Sequence, residues 1–248
     1  MRGGVRYNPV LFEMEDVMFI DPLYMLFAIP GLILALAASA ITRSTFAKYS
    51  RVRAASGMTG AEAARAMLYS QGVRDVTIEQ THGFLSDHYD PRTNTLRLSQ
   101  DVYHSNSLSA IGVACHEAGH ALQQAHQYAP LALRSTLVPV TQIGSQLAPI
   151  ILMLGFFMQV PFLIQAGLAL FTAAVVFTLV TLPVEWNASA RAKELMVDAR
   201  IVAPQEQPQA AAVLNAAFMT YVASAVSAVL TLLYYLFRAG LLGNRRND

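Results

Sequence analysis

The residues best suited to chemistry lie in one short stretch, ACHEAGHALQQAH, at positions 114–126. His116 and His120 are four positions apart, and Glu117 follows the first of them. In a helix, residues i and i+4 lie on one face, so both imidazoles can bind one Zn²⁺ with Glu117 beside it. A zinc ion with three protein ligands keeps one position open for water and lowers the pKa of that water to about 7. The stretch therefore predicts a hydrolytic zinc site with Glu117 as the general base.

The third ligand is not settled by this stretch. His126 lies six positions after His120, a spacing that would bring it to the metal only if the chain turned sharply in between. Gln123 stands where a glycine would be needed for that turn, and ALQQA is a good helix-forming run. In a continuing helix, His126 would lie about three turns from His116. We therefore expect His126 at the surface.

An acidic residue from a second helix is the alternative. Glu185 follows Pro183 just beyond a long apolar segment, and His120 lies shortly before that segment. If the segment is a hairpin in the membrane, its two ends emerge on the same side and His120 and Glu185 can meet. Glu194 and Asp198 lie farther along the same helix and remain alternatives, although both suit a solvated face.

The composition indicates a chain that faces lipid over part of its surface. Of 248 residues, 54% are hydrophobic and only 13% are charged, which is too little polar surface for a soluble protein of this size. The net charge of +1 and the lack of a basic stripe argue against a nucleic-acid partner. The single cysteine, Cys115, cannot form an internal disulfide and is expected to be a small packing residue.

Long apolar segments predict three to four transmembrane helices. Residues 18–41 can cross a bilayer once, and acidic residues before them favour a retained span over a cleaved signal peptide. Residues 137–183 contain no charged residue and are long enough for two spans, with a turn at Gln159 and Pro161. The predicted organisation is an N-terminal extension (1–17), a first span (18–41), a catalytic region (42–136), a transmembrane hairpin (137–183), a helical segment with the third ligand (184–217), a fourth span (218–238) and a tail (239–248).

The polar region between the first span and the hairpin has the patterns of a small α+β unit. Thr59 and Glu62 form a predicted capping box at the start of an amphipathic helix. Apolar and polar residues alternate on both sides of DPRTNT, which predicts a β-hairpin or short sheet. Its segment NTLRLS either presents an edge to an extended substrate or is paired within its own sheet. We expect a mainly α integral membrane protein with a small cytoplasmic, zincin-like α+β catalytic part.

Positive charges near the span ends predict the orientation of the chain. Lys and Arg residues follow the first span and flank the hairpin, whereas the turn inside the hairpin has none. Because such residues are enriched on the cytoplasmic side, the polar region is predicted to be cytoplasmic. The arginines at positions 238, 245 and 246 argue the other way for the C-terminus if the fourth segment spans.

From Met18 onward, the sequence resembles the YugP-like membrane zinc metallopeptidases, whose motif logic is that of the gluzincins. The motifs that carry the resemblance are FIDPLYMLFAIPG, KYSRV, TGAEAAR, DHYDPRTNTLRLS, VYHSNSLSAIGVACHEAGHALQ, YAPLALRS, LPVEWNAS and LNAAFMTYVA. The resemblance implies one zinc held by His116, His120 and Glu185, with Glu117 as the catalytic base. The N-terminal extension departs from the family pattern, and no motif identifies the group that stabilises the oxyanion.

Two residues are candidates for that group. Tyr221 lies just inside the fourth apolar segment and His88 lies near the predicted β-turn, although the first is equally an interfacial anchor and the second a turn residue.

The expected function is zinc-dependent endopeptidase activity on protein or peptide substrates, with one zinc per chain, in a prokaryotic cytoplasmic (inner) membrane. A zinc-stabilised membrane scaffold without proteolysis is the alternative, and a transporter is disfavoured because the spans lack ionisable residues. The sequence does not indicate an oligomeric state.

Overall fold

A computed structural model of the protein describes residues 21–83 and 86–242. The predicted N-terminal extension, the first residues of the first span and the arginines at 245 and 246 lie outside this range. The described part is mainly helical, with one small sheet. Its elements in chain order are α1 (Pro22–Tyr49), α2 (Gly60–Ser70), β1 (Thr77–Thr81), β2 (His88–Asp90), β3 (Thr95–Ser99), α3 (Gln100–Tyr103), α4 (Leu108–Ala125), α5 (Ala129–Phe157), α6 (Pro161–Asp198) and α7 (Gln207–Arg238).

Four helices of the described chain are long and apolar enough to cross a membrane: α1, α5, α6 and α7. They pack in the order α1, α7, α6, α5, with each neighbouring pair in extensive contact. Helices α5 and α6 form a tight hairpin, and Gln159 in its turn has a left-handed backbone with φ of 52°. Many large apolar side chains of these four helices are exposed at the surface of the protein, which suits a surrounding of lipid.

Residues 50–128 and the adjoining end of α6 form a second part of the protein, which we call the polar layer. It lies at one end of the four long helices and has its own core. Helix α2 begins at the predicted capping box, where Thr59 and Glu62 each accept a hydrogen bond from the other's backbone N–H. Helix α4 begins after Ser107, whose hydroxyl caps Ala110 N–H. The core contains side chains of α2, β3, α4 and α6 with exposures of at most 2%, namely Met67, Leu68, Leu96, Leu98, Ile111, Leu122 and Met196. This core fixes α4 against α6.

The sheet has the order β1-β3-β2, with β1 parallel and β2 antiparallel to β3. The turn between β2 and β3 is the predicted DPRTNT segment, in which Asn94 has φ of 51°. NTLRLS forms the central strand, because β3 is hydrogen-bonded on both sides. Of the two alternatives for this segment, the structure shows pairing within its own sheet and excludes a free edge at β3.

Candidate metal centre

The two histidines of the HExxH stretch lie on one face of α4. Their rings are 4.8 Å apart between centroids and nearly perpendicular, at 82°. Helix α6 crosses this face closely at Gly119, where a β-carbon would lie 2.6 Å from the carbonyl oxygen of Ala188. Any larger residue at position 119 would therefore push α6 away. The glycine inside the motif brings Glu185 of α6 within reach of the two imidazoles.

Glu185 is buried, with 1% exposure, and its carboxylate faces both histidines. Its Oε2 lies 3.2 Å from Nε2 of His116 and 3.5 Å from Nε2 of His120. Ligand atoms bound to one tetrahedral zinc at about 2.0–2.1 Å are separated by roughly 3.3–3.4 Å. These three residues form a group that could hold a metal ion, and the two distances from Glu185 to the imidazoles fit zinc.

Each of the three side chains has a further polar partner. Nδ1 of His116 lies 3.1 Å from Oγ of Ser189, and Nδ1 of His120 lies 3.0 Å from Oε1 of Gln123. Nη1 of Arg134, on α5, lies 3.3 Å from Oε1 of Glu185. Oε1 of Glu185 is thus paired with the Arg134 cation, while Oε2 faces the two imidazoles. Such partners orient metal ligands and set which atom each presents.

A cavity of about 380 Å³ opens beside this group. Its wall includes His116, Glu117 and Glu185, polar residues of α1, and apolar residues of α4 and α7. Loss of water around the Glu117 carboxyl raises its pKa, while the nearby His116 and His120 act in the opposite direction. A carboxyl with a raised pKa beside the histidines is suited to exchanging protons near neutral pH.

Of the two candidates for the oxyanion-stabilising group, Tyr221 lies at the cavity and His88 does not line it. Tyr221 lines the cavity together with Glu117 and Glu185. His88 is exposed in β2, with Nδ1 2.8 Å from the carbonyl oxygen of Ser86, and is absent from the described lining of the cavity. Its neighbour Asp87 lines the cavity instead and accepts hydrogen bonds from the backbone and hydroxyl of Ser99. Burial raises the pKa of Asp87.

The alternatives for the third ligand lie elsewhere. Helix α4 ends at Ala125, and the exposed His126 contacts Arg191 through Nδ1 at 2.9 Å. Glu194 and Asp198 are exposed on α6 and do not join the group of His116, His120 and Glu185. Cys115 is completely buried in the core of the polar layer and is also outside this group. The cysteine therefore has the packing role that its sequence context predicted.

Sequence reasoning missed four residues around this centre. It indicated Arg134 only as a positive charge beside a span and Gln123 only as a helix former, and it gave Ser189 and Asp87 no role. The four-residue spacing of Glu185 and Ser189 places both on the face of α6 that meets α4, so a helical projection from Glu185 would have found Ser189. No comparable local signal exists for Arg134 or Asp87, whose positions depend on tertiary packing.

Comparisons with known proteins identify a family and a relative of this chain. A family described as "Putative neutral zinc metallopeptidase" matches residues 24–240. The chain is 44% identical over 213 residues to a protein of Bacillus subtilis (strain 168) named "Putative membrane protease YugP", an alignment that covers 86% of this chain and 95% of that protein. No solved structure matches the chain significantly.

Proposed function

The chain belongs to the family described as "Putative neutral zinc metallopeptidase", and on that premise we propose that it is a membrane-bound, zinc-dependent endopeptidase. His116, His120 and Glu185 bind one zinc ion per chain, and Glu117 is the general base. The substrates are proteins or peptides. This proposal is more specific than the family description in its ligand set, its mechanism and its location.

The observation that carries the proposal is the convergence of three ligand atoms beside an open cavity. One oxygen of a buried carboxylate lies 3.2 and 3.5 Å from two imidazole nitrogens of a neighbouring helix. Three protein ligands with an accessible fourth position are the arrangement of catalytic zinc sites, whereas structural sites usually have four protein ligands. The cavity of about 380 Å³ supplies that access.

Zinc bound there would act as a Lewis acid toward water and toward the carbonyl of the scissile peptide. Glu117 lines the cavity next to His116, so its carboxylate is placed to accept the proton of the attacking water. The same carboxyl then donates this proton to the departing amine, which completes the hydrolysis. The raised pKa of Glu117 makes its carboxylate a stronger base for the first of these two transfers.

We propose Tyr221 as the group that stabilises the oxyanion. Its hydroxyl can donate a hydrogen bond, and the residue lines the same cavity as Glu117. Val213, Leu214 and Phe218 of α7 form an apolar wall nearby, which suits a hydrophobic side chain of the substrate. His88 has no position on this cavity, and we do not propose a catalytic role for it.

We further propose that the centre faces the cytoplasm at the inner membrane of a prokaryote. Arg43, Lys48, Arg134 and Arg191 all lie at the same end of the membrane helices as the centre. The α5–α6 turn at the opposite end has no Lys or Arg. This asymmetry is the one expected when the charged end is cytoplasmic. Arg238, at the opposite end, lies 3.9 Å from Asp21.

The test is to measure zinc content and proteolysis in the same detergent-purified samples. Wild-type protein, Glu117→Gln and Glu185→Ala would be analysed for bound zinc and for cleavage of an unfolded, casein-type substrate. We expect Glu117→Gln to keep zinc and lose cleavage, and Glu185→Ala to lose both. Zinc without cleavage in the wild type would favour the scaffold alternative, and full zinc in Glu185→Ala would refute the ligand set.

A further inference from the structure

Gln123 is a completely buried polar side chain next to the candidate metal centre. It lies on α4, three residues after His120, and has 0% exposure. Its Oε1 is 3.0 Å from Nδ1 of His120, and its Nε2 donates to the carbonyl oxygen of Val184 at 2.7 Å and to Oδ1 of Asn187 at 3.0 Å. Both amide hydrogens and one oxygen lone pair are therefore used.

The direction of these hydrogen bonds is fixed from outside the centre. Arg191 can only donate, and its Nε lies 2.9 Å from Asn187, so the contacting Asn187 atom must be the oxygen. That oxygen can only accept, so the Gln123 atom facing it must be the NH₂ group. The carbonyl of Val184, which also only accepts, requires the same orientation independently. The amide oxygen of Gln123 must then face His120.

This orientation determines how His120 is protonated. An amide oxygen accepts but cannot donate, so Nδ1 of His120 has to carry the hydrogen. The lone pair of its other nitrogen, Nε2, is left free on the side where His116 and Glu185 converge. Val184 and Asn187 flank Glu185 on α6, so the same amide also holds the backbone segment that presents the carboxylate.

We propose that Gln123 is the positioning residue of the metal centre: it fixes the tautomer of His120 and clamps α4 to the Glu185 segment of α6. The inference rests on the zinc site of the proposed function but not on proteolysis. His116 has no such clamp, because its partner Ser189 is a hydroxyl that can donate or accept. The two histidines are therefore held by different means, and His120 is the one with an imposed tautomer.

The first experiment compares the zinc affinity of Gln123→Met with that of the wild type by competition with a chelator. Methionine is similar in length, but its thioether sulfur is only a weak acceptor for the His120 hydrogen and cannot donate to Val184 or Asn187. We expect zinc affinity to fall by about 10- to 100-fold, the usual effect of losing such a partner. The matched control is Gln124→Met, because that neighbouring glutamine is exposed and its amide donates to Pro91 instead. An unchanged affinity in a folded Gln123→Met protein would overturn the inference.

A second pair of variants tests the chain of hydrogen bonds itself. Asn187→Asp keeps an oxygen for both Gln123 and Arg191 and should bind zinc nearly as the wild type does. Asn187→Leu removes that oxygen and should weaken zinc binding, though less than Gln123→Met. Equal affinities for the two position-187 variants would show that the Asn187 oxygen does not orient Gln123.

The tautomer can be observed without any variant. In the zinc-loaded, histidine-¹⁵N-labelled protein, the His120 ring should be coordinated through Nε2 and protonated at Nδ1. Coordination of His120 through Nδ1 would overturn the inference even if Gln123→Met failed to fold. If zinc binding depends on Gln123 but no substrate is cleaved, the positioning role stands and only the protease assignment fails.

Discussion

Helix α6 is one continuous helix whose two halves are built for different surroundings. From residue 161 to residue 183 it has no charged residue, and side chains such as Phe162 and Leu179 are 74% and 45% exposed. From residue 184 onward it carries Glu185 and buries Val184, Ala188, Ala192 and Met196 completely. In the first half, apolar side chains point outward to lipid. In the second, they point inward to a core.

Each half of α6 crosses a partner helix closely at a glycine. In the second half the glycine is Gly119 of the partner helix α4, and in the first half it is Gly167 of α6 itself, which faces α5. At Gly119 the facing atom is the backbone oxygen of Ala188, which would lie 2.6 Å from an added β-carbon. At Gly167 the nearest facing atoms are Cγ and Cδ2 of the Leu152 side chain, at 2.6 and 2.9 Å, and the backbone nitrogen of Leu152 lies farther away at 3.1 Å. A side chain can move to another rotamer, whereas a helix backbone cannot move alone. The crossing at the metal centre should therefore be the less tolerant of the two.

The largest expected effect is that of Gly119→Ala. The added methyl group forces α4 and α6 apart, and with them the histidines and Glu185. We expect loss of stoichiometric zinc and a fall in proteolysis of about 100-fold or more, the penalty of misplacing catalytic groups by roughly 1 Å. Elemental analysis and a cleavage assay on the purified protein measure both effects.

Gly167→Ala is the matched variant in the membrane half. Leu152 can shift to accept the methyl group, so we expect zinc content and activity close to those of the wild type. If Gly167→Ala lost zinc to the same extent as Gly119→Ala, the two crossings would be equally rigid and the distinction between the halves would fail.

Truncation of apolar side chains should separate the halves by stability. Met196 is completely buried in the polar layer, so Met196→Ala should lower the free energy of unfolding by about 2–5 kcal/mol. Leu179 faces lipid or detergent whether or not the inserted chain is folded, and Leu179→Ala should change this free energy by roughly 0.5 kcal/mol or less. Denaturant titration in detergent compares the two, and equal losses would contradict the assignment of lipid and core surfaces.

Arg134 tests whether the membrane hairpin contributes to the metal centre. Arg134 lies on α5, and its guanidinium group contacts Oε1 of Glu185 on α6. Its Nε is buried and has no hydrogen-bond partner among the described residues. Arg134→Gln removes the cation beside the buried carboxylate and should weaken zinc binding by about 10-fold or more. Chelator competition measures this, with the exposed Arg74→Gln as control. A wild-type affinity in Arg134→Gln would show that α5 only anchors the protein.

The sequence predicted the local features of this molecule better than those that depend on distant contacts. The positions of His116 and His120 on one helix face follow from their spacing, and the caps at Thr59 and Ser107 follow from residue types. The four long apolar helices follow from hydropathy and length. Each of these features is determined by fewer than about thirty consecutive residues.

Features that depend on chain crossings were less accessible. Alternation and turn residues predicted a hairpin across DPRTNT, which is the β2–β3 pair, but not the parallel pairing of β1 that makes β3 the central strand. The hairpin topology and then the resemblance favoured Glu185, but Glu194 and Asp198 remained alternatives because the sequence does not specify where α6 crosses α4. The role of Gln123 depends on Val184 and Asn187, which are about sixty residues away in the chain. Gln123 does lie in a helix, as its propensity predicted, but propensity gave no information about its contacts with His120 and α6.

The smallest expected effect concerns the charged side chains of the polar layer. Residues 137–183 of the membrane hairpin contain no charged residue, so they cannot form ion pairs with one another. Hydrogen bonds from Thr93, Arg92 and Arg97 lower the pKa of Asp90 from 3.8 to about 2. Because the folded pKa lies below the unfolded value, Asp90 stabilises the β2–β3 turn above pH 3.8, and this contribution is lost as the pH falls toward 2.

Asp90→Asn should therefore lower the thermal midpoint slightly at pH 6, and its difference from the wild type should shrink below about pH 4. Asp101→Asn is the control, because Asp101 is an exposed acid at the start of α3. A midpoint difference for Asp90→Asn that stayed constant down to about pH 2 would mean that the carboxylate charge does not stabilise the turn. In that case the hydrogen-bonded backbone of the β2–β3 turn would be sufficient to hold it, and the charge of Asp90 would not be one of the features that distinguish the polar layer from the membrane half.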